Sequence, residues 1–303
     1  MFTFILKIRK DKLCTIKRHH LSGRKVCIVD VRDVMLKRRS VRTYNKEPIP
    51  DDIRQRINNY INTVKGPFNT QMRFQIVDMN NLSPDIKLGT YGVIKGATTY
   101  ICAIIKDETK AEENLGYAFE KIILYATSLG LATCWLGGTF NKTEFGKAVN
   151  LTDNEFVPII TPVGYAKEKR SILDSIMAAA AGSRNRKEWS ELFFDKDFSK
   201  PLKKEEAGIF KECFEMVRIA PSASNKQPWR IVRDENNFHF FLCRNKRYEK
   251  LLNFDIQRLD IGIAMCHFEL TAQKTGISGK WSDMNVNLAC GRDMEYLISY
   301  IVE

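Results

Sequence analysis

Two stretches of the chain run through the same series of elements at nearly constant spacing, and a duplicated unit has few ways to fold. In the first stretch, Pro48-Ile-Pro50-Asp-Asp52 caps an amphipathic helix through Ile53, Ile57, Tyr60 and Ile61, which Gly66-Pro67 ends. Met72 to Val77 then alternates as a strand, Thr98 to Ile105 reads as a strand buried on both faces, and a long helix runs from about Ala111 to Leu129 before Gly130. In the second stretch, Pro201 to Val217 reads as a capped amphipathic helix. Trp229 to Val232 and Phe238 to Cys243 read as strands, and Asp260 to Lys274 as a long helix before Gly276. Leu124, Ala126, Gly130 and Trp135 match Leu270, Ala272, Gly276 and Trp281 at one offset of 146, while Phe74-Gln-Ile-Val77 matches Trp229-Arg-Ile-Val232 at 155. Glycine after a helix is common anywhere, but the shared order of elements argues for duplication with loop changes. The two halves are expected to pack face to face as a homodimer's subunits would, with the long helices in a shared core and a cleft between. Ser171 to Lys187, including Ala178 to Ala181 and Gly182, is the expected connection.

The remaining bulk properties mostly exclude. The formal charge of +12 invites a polyanion partner, but residues 1 to 46 carry 14 Lys/Arg against three acids and residues 47 to 303 carry 34 against 33. The excess therefore sits at the N-terminus, in a basic extension expected over residues 1–30 without order, ahead of a folded body at 31–303 that divides into halves 31–190 and 191–303. The start Met1 to Leu6 is apolar but interrupted at Lys7, too short for a secretory signal or a membrane span. The eight cysteines are scattered singly, without CxxC or zinc-type spacing, which fits a reduced cytoplasmic protein without a bound metal. His239 and His267 stand alone in the sequence and receive no ligand role.

Four segments carry candidate chemistry. Arg38-Arg39-Ser40-Val41-Arg42 places three guanidinium groups and a hydroxyl at a helix end, suited to paired phosphate contacts, although a solvated basic helix end looks the same. Ala220-Pro221-Ser222-Ala223-Ser224-Asn225-Lys226-Gln227-Pro228-Trp229 is a loop stiffened by two prolines; Ser222, Ser224, Asn225 and Gln227 could bond a polyol or a ring edge, or simply make a turn. Leu129 to Gly138 leads through Trp135 and Leu136 into Gly137-Gly138, where backbone N–H groups can approach a flat ligand closely. Gly182-Ser-Arg184-Asn-Arg186-Lys187 could add positive charge, or be a soluble linker.

Taken together, these segments resemble the nitroreductase family, and within it the single-chain, internally duplicated TM nitroreductase branch, over about residues 31 to 303. Arg38 to Arg42 is similar to the family's FMN-phosphate motif, Ala220 to Trp229 to its Pro-Ser-x-x-Asn-x-Gln-Pro-Trp loop, and Leu129 to Gly138 to the stretch facing the isoalloxazine. Arg184 and Arg186 sit where the family supplies late basic contacts. The resemblance implies an α+β nitroreductase-like fold whose two halves mimic the family's homodimer. It further implies an FMN-dependent oxidoreductase that passes hydride from NAD(P)H through flavin to nitroaromatic, quinone or similar small acceptors. The implied cofactor-binding residues are Arg38, Arg39, Ser40, Arg42, Trp135, Leu136, Gly137, Gly138, Arg184, Arg186, Pro221, Ser222, Ala223, Ser224, Asn225 and Gln227, with no catalytic side chain because the chemistry is the flavin's. The family's half-sites are unequally kept. Where the first half should carry the polar loop it reads Gly66-Pro67-Phe68-Asn69-Thr70-Gln71-Met72, and where the second should carry the arginine motif it reads Glu191-Leu-Phe-Phe-Asp195. One complementary pair survives, which implies one FMN per chain and a monomer that needs no second subunit, nucleic acid or membrane. A flavin store or sensor without turnover, and an adaptor whose basic tail binds nucleic acid, are the competing expectations.

Overall fold

The computed structural model describes residues 30–168, 185–246 and 252–303. Residues 1–29, nearly all of the expected basic extension, and most of the 171–187 connection lie outside them, as does Arg184. The first half runs α1 (Val31–Lys37), α2 (Asp51–Ile61), β1 (Met72–Asp78), β2 (Thr99–Lys106), α3 (Ala111–Ser128), β3 (Ala132–Thr133), α4 (Lys142–Ala148) and β4 (Glu155–Gly164). The second runs α5 (Trp189–Leu192), β5 (Phe193–Asp195), α6 (Lys211–Arg218), β6 (Trp229–Asp234), β7 (Asn237–Cys243), α7 (Ile256–Lys274), β8 (Gly279–Ser282) and β9 (Met294–Val302). The sheets repeat each other: β1-β2-β4-β3 in one, β6-β7-β9-β8 in the other, all antiparallel, with β5 added parallel to β6 at one edge. Gly130 and Gly276 both adopt left-handed φ (+81° and +80°), ending α3 and α7 alike.

β2 shows why its sequence reads as an unbroken apolar run. Ile101, Ala103 and Ile105 enter the main core against α3, while Tyr100, Cys102 and Ile104 enter a smaller core with Phe140 and Phe145. The long helices are buried on most of their circumference and lie against each other between the two sheets. Their crossing depends on two glycines the sequence reading passed over. A Cβ on Gly116 would stand 2.0 Å from the Leu259 carbonyl oxygen, and one on Gly262 would stand 2.0 Å from the Glu113 oxygen. Gly116 and Gly262 are related by the 146-residue offset, and so are Glu113 and Leu259. The close approach is therefore pseudo-symmetric, as between the subunits of a dimer.

Two expectations need correction. The helix read from Pro201 to Val217 begins only at Lys211, after a 3-10 turn over Gly208–Phe210. Gly208 has φ +57°, which a right-handed helix cannot pass through, and Pro201 instead bridges Phe194. The sequence reading also did not single out β4 and β9, the strands that connect each sheet internally. Among the described residues, no helix is long and apolar enough to cross a membrane.

Candidate functional site

The arginine segment leaves α1 at Arg38, whose N–H caps the helix on the Val34 carbonyl. Ser40 then pairs parallel with Thr133, the Val41 N–H donates to the Thr133 carbonyl (2.9 Å), and the Arg42 carbonyl accepts from Lys95 (2.8 Å). This short pairing turns the segment along the end of the first sheet. Arg39 is exposed, whereas the Arg38 side chain is almost covered and its Nε lies 3.9 Å from Glu120 Oε1. Among the described residues, Arg38 Nε is buried yet makes no hydrogen bond.

The loop after α6 is strained and heavily braced. Ser224, Asn225 and Gln227 have φ of +44°, +54° and +49°, a region that costs non-glycine residues free energy. Opposing hydrogen bonds offset it. Gln227 N–H donates to Ser222 Oγ (2.9 Å), and Ala223 N–H donates to both Asp260 oxygens (3.0 and 3.1 Å). The Asn225 and Gln227 amides, expected to face a ligand, are largely engaged with residues 185–187: Asn225 Nδ2 donates to the Asn185 carbonyl, Arg186 donates to Asn225 Oδ1 and to the Ala220 carbonyl, and Lys187 N–H donates to Gln227 Oε1 (2.9 Å). Ser224 remains exposed. The loop thus presents Arg186 as much as it presents its own side chains.

That placement brings the two halves together. Burial, together with the nearby charges of Arg38 and Arg218, pulls the Arg186 guanidinium down to about 10. Arg38, from the start of the first half, and Arg186, held by the connecting segment on the loop of the second half, therefore lie within electrostatic reach of each other with Arg218 beside them, and like charges so placed favour an anion. Arg218 was not singled out in the sequence, although it stands only two residues before the loop. Trp135 donates its indole N–H to Glu120 (2.8 Å), the carboxylate that also faces Arg38, and Leu136 pairs with Ile160. Gly137 and Gly138, which follow, are partly open, and among the described residues their N–H groups enter no backbone hydrogen bond. A Cβ on Gly137 would press on Ile159, Ile256 and Phe254, so the second half closes over this strand. A cavity of about 550 Å³ on the outside of the first half, between α2 and β1, shares no residue with these segments.

The opposite half-site is taken up by structure. Asp195 is ion-paired by Lys200 and Arg233 (2.5 and 2.6 Å), which hold its carboxyl below the usual range, and Phe193 is buried in β5. In the first half, Phe68 N–H donates to Asn114 Oδ1 (2.9 Å). This bond is the repeat of Ala223 to Asp260, since the loop residues differ by 155 and the helix residues by 146. Desolvation pushes the fully buried Asp260 carboxyl well up, whereas Asn114 accepts the equivalent bond without charge. Asp260→Asn should therefore keep the loop and leave stability at neutral pH unchanged or raised. A group whose folded pKa is raised contributes fully below its unfolded value and loses that contribution as pH rises. The melting-temperature difference between variant and wild type should thus grow in the variant's favour from about pH 4 to pH 7; a difference that shrinks over that range would refute the assignment. Asp260→Leu, which leaves the Ala223 N–H without an acceptor, should cost about 1–3 kcal/mol.

Comparison with known proteins gives the same architecture. A Thermotoga maritima protein classed with the nitroreductases matches 96% of this chain and 99% of its own at 21% identity and a TM-score of 0.58. An FMN-dependent nitroreductase of Clostridium difficile matches 47% of this chain and 92% of its own (23% identity, TM-score 0.37), and a Bacteroides fragilis nitroreductase with bound FMN matches 48% and 92% (21%, 0.38). No curated protein matches the chain. A family model covers residues 30–272, most of both halves, and by that match the chain belongs to the nitroreductase family described as "Putative TM nitroreductase".

Proposed function

We propose that this chain binds one FMN in the crevice between its halves and works as an oxidoreductase, passing hydride from NAD(P)H to a small electron-poor acceptor such as a nitroaromatic or a quinone. The observation that carries this reading is the proximity of Arg38, in the first half, to Arg186, which is bonded to the loop of the second, with the Arg38 Nε buried and, among the described residues, without a hydrogen bond. A phosphate would satisfy that atom and relieve the repulsion between the two cations. The residues present fit the group: Arg38 and Arg186 for its phosphate, the braced 221–227 loop for its polyol, and the Gly137 and Gly138 N–H groups for its ring. FMN, when bound, supplies the hydride chemistry. The chain's own part is to place it, to hold positive charge beside the phosphate and to cover the strand at Gly137 with Phe254 and Ile256.

One such site fits this reading, because the pseudo-equivalent positions are occupied by Phe193, the ion-paired Asp195 and Phe68. On the same reading the chain completes the site without a second subunit. Purified protein should be yellow, or should change the FMN spectrum on titration, with a stoichiometry of one, and should then oxidise NADH or NADPH when a quinone or nitro compound is supplied. A colourless protein indifferent to added FMN would overturn the cofactor assignment. Tight FMN binding without NAD(P)H oxidation would replace the enzyme with a flavin store or sensor.

A further inference from the structure

Glu120 on α3 and His267 on α7 meet where the two halves join, and both are completely buried. His267 Nδ1 lies 2.8 Å from the Met216 carbonyl oxygen. That oxygen can only accept, so Nδ1 carries a proton. His267 Nε2 lies 3.0 Å from Glu120 Oε1, a contact that requires one proton between the two atoms. Glu120's other oxygen accepts the Trp135 indole N–H (2.8 Å), and Oε1 also faces the Arg38 guanidinium at 3.9 Å. A donor on one oxygen and a cation beside the other both favour the carboxylate, which assigns the proton to histidine.

The surroundings single this pair out. Among the described residues, Arg38 from the segment after α1 faces Glu120, and the Cys266 thiol on α7 interacts with Glu120 electrostatically. Under the 146-residue offset, Glu120 corresponds to Cys266 and His267 to Lys121, so the duplication produces no second copy of the pair. It exists on the one side of the molecule that keeps the arginine motif and the polar loop. Met216 lies on α6, which runs directly into the 220–227 loop. One line of contacts therefore joins Arg38 to Glu120, Glu120 to His267, and His267 to the helix that carries the opposite wall of the crevice.

We propose that Glu120 and His267 form a buried carboxylate–imidazolium pair, assembled from both halves, that positions Arg38 and Trp135 against the loop-bearing helix for cofactor binding. The proposal rests on the FMN reading for its purpose, but its chemistry can be read in the protein alone. Nitrogen-15 imidazole spectra of the apo-protein at neutral pH, with the His267 signals identified by their loss in His267→Gln, should show both His267 nitrogens protonated, as the contacts to the Met216 carbonyl and to Glu120 require. In Glu120→Gln, with the carboxylate gone, the same spectra should show one His267 nitrogen without its proton. That variant keeps an acceptor for Trp135 but loses the charge, and should bind FMN about tenfold or more weakly, with Glu120→Asp recovering part of the loss. A neutral His267 in wild-type protein at pH 7 would overturn the pair. So would a folded Glu120→Gln that binds FMN as tightly as wild type. If wild-type protein takes up no FMN, the cofactor reading fails by itself, while the imidazole spectrum still decides the state of the pair.

Discussion

Arg38→Met should weaken FMN binding about a hundredfold while shifting the unfolding midpoint by no more than a few degrees. Removing one partner of a buried charge-assisted contact costs about 2–5 kcal/mol, and about 2.7 kcal/mol is a hundredfold in affinity. The same side chain contributes little to the fold itself. Among the described residues its Nε makes no hydrogen bond, its Glu120 partner stands at 3.9 Å, and its charge opposes that of Arg186. Methionine keeps the apolar stem and removes the cation, so the loss should appear in ligand binding and not in stability. Arg39→Met is the internal control, because Arg39 is exposed and should change affinity by less than about threefold, as surface charges do. FMN titration followed by flavin fluorescence, alongside thermal melts of the apo-protein, separates the cases. Equal losses for both arginines would indicate a general electrostatic attraction and sink the specific phosphate role of Arg38.

The largest effect on stability should come from the helix crossing. Gly116→Ala or Gly262→Ala drives a methyl to 2.0 Å from a backbone carbonyl of the facing helix, an atom that cannot rotate away. Overpacking a core typically costs about 1–3 kcal/mol and more where backbone must move; here roughly 3 kcal/mol or more is expected, a fall of several degrees or more in melting temperature. The two variants should be nearly equal, since the contacts are related by the pseudo-symmetry. The double variant should fall short of the sum, because the first separation of α3 and α7 relieves the second clash. FMN uptake should fall in parallel, as Arg38 stands on the first half and Arg186 is bonded to the loop of the second. Differential scanning calorimetry of the three variants tests this, and a variant as stable as wild type would show that the helices are not held so close.

Much of this was legible in residue order. The two-offset repeat anticipated two halves with the same order of elements around paired long helices, because the period of apolar residues and the glycine stops act over a few residues at a time. Even the inequality of the half-sites could be read, since each motif is contiguous: Arg38 to Arg42 in one half, Glu191 to Asp195 in the other. The helix expected from Pro201 failed for a local reason that periodicity does not weigh, the left-handed Gly208. The hydrogen bonds made by Asn225 and Gln227 were hidden for a different reason. Their amides were legible as hydrogen-bonding groups, but that they would be engaged by residues 185–187 depended on a segment some 40 residues away folding back.

The sequence by itself determined the duplicated α+β architecture, the family and the surviving complementary motifs, because these rest on local patterning and on short runs of chemically distinctive side chains. Tertiary structure alone decided that Arg38 and Arg186 lie near each other, that Asp260 braces the loop as Asn114 braces its counterpart, and that a lone-looking His267 meets Glu120. The meeting of His267 with Glu120 depends on how closely α3 and α7 cross at Gly116 and Gly262. A distance between backbones, across about 146 residues of chain, leaves no mark in the neighbourhood of any one residue.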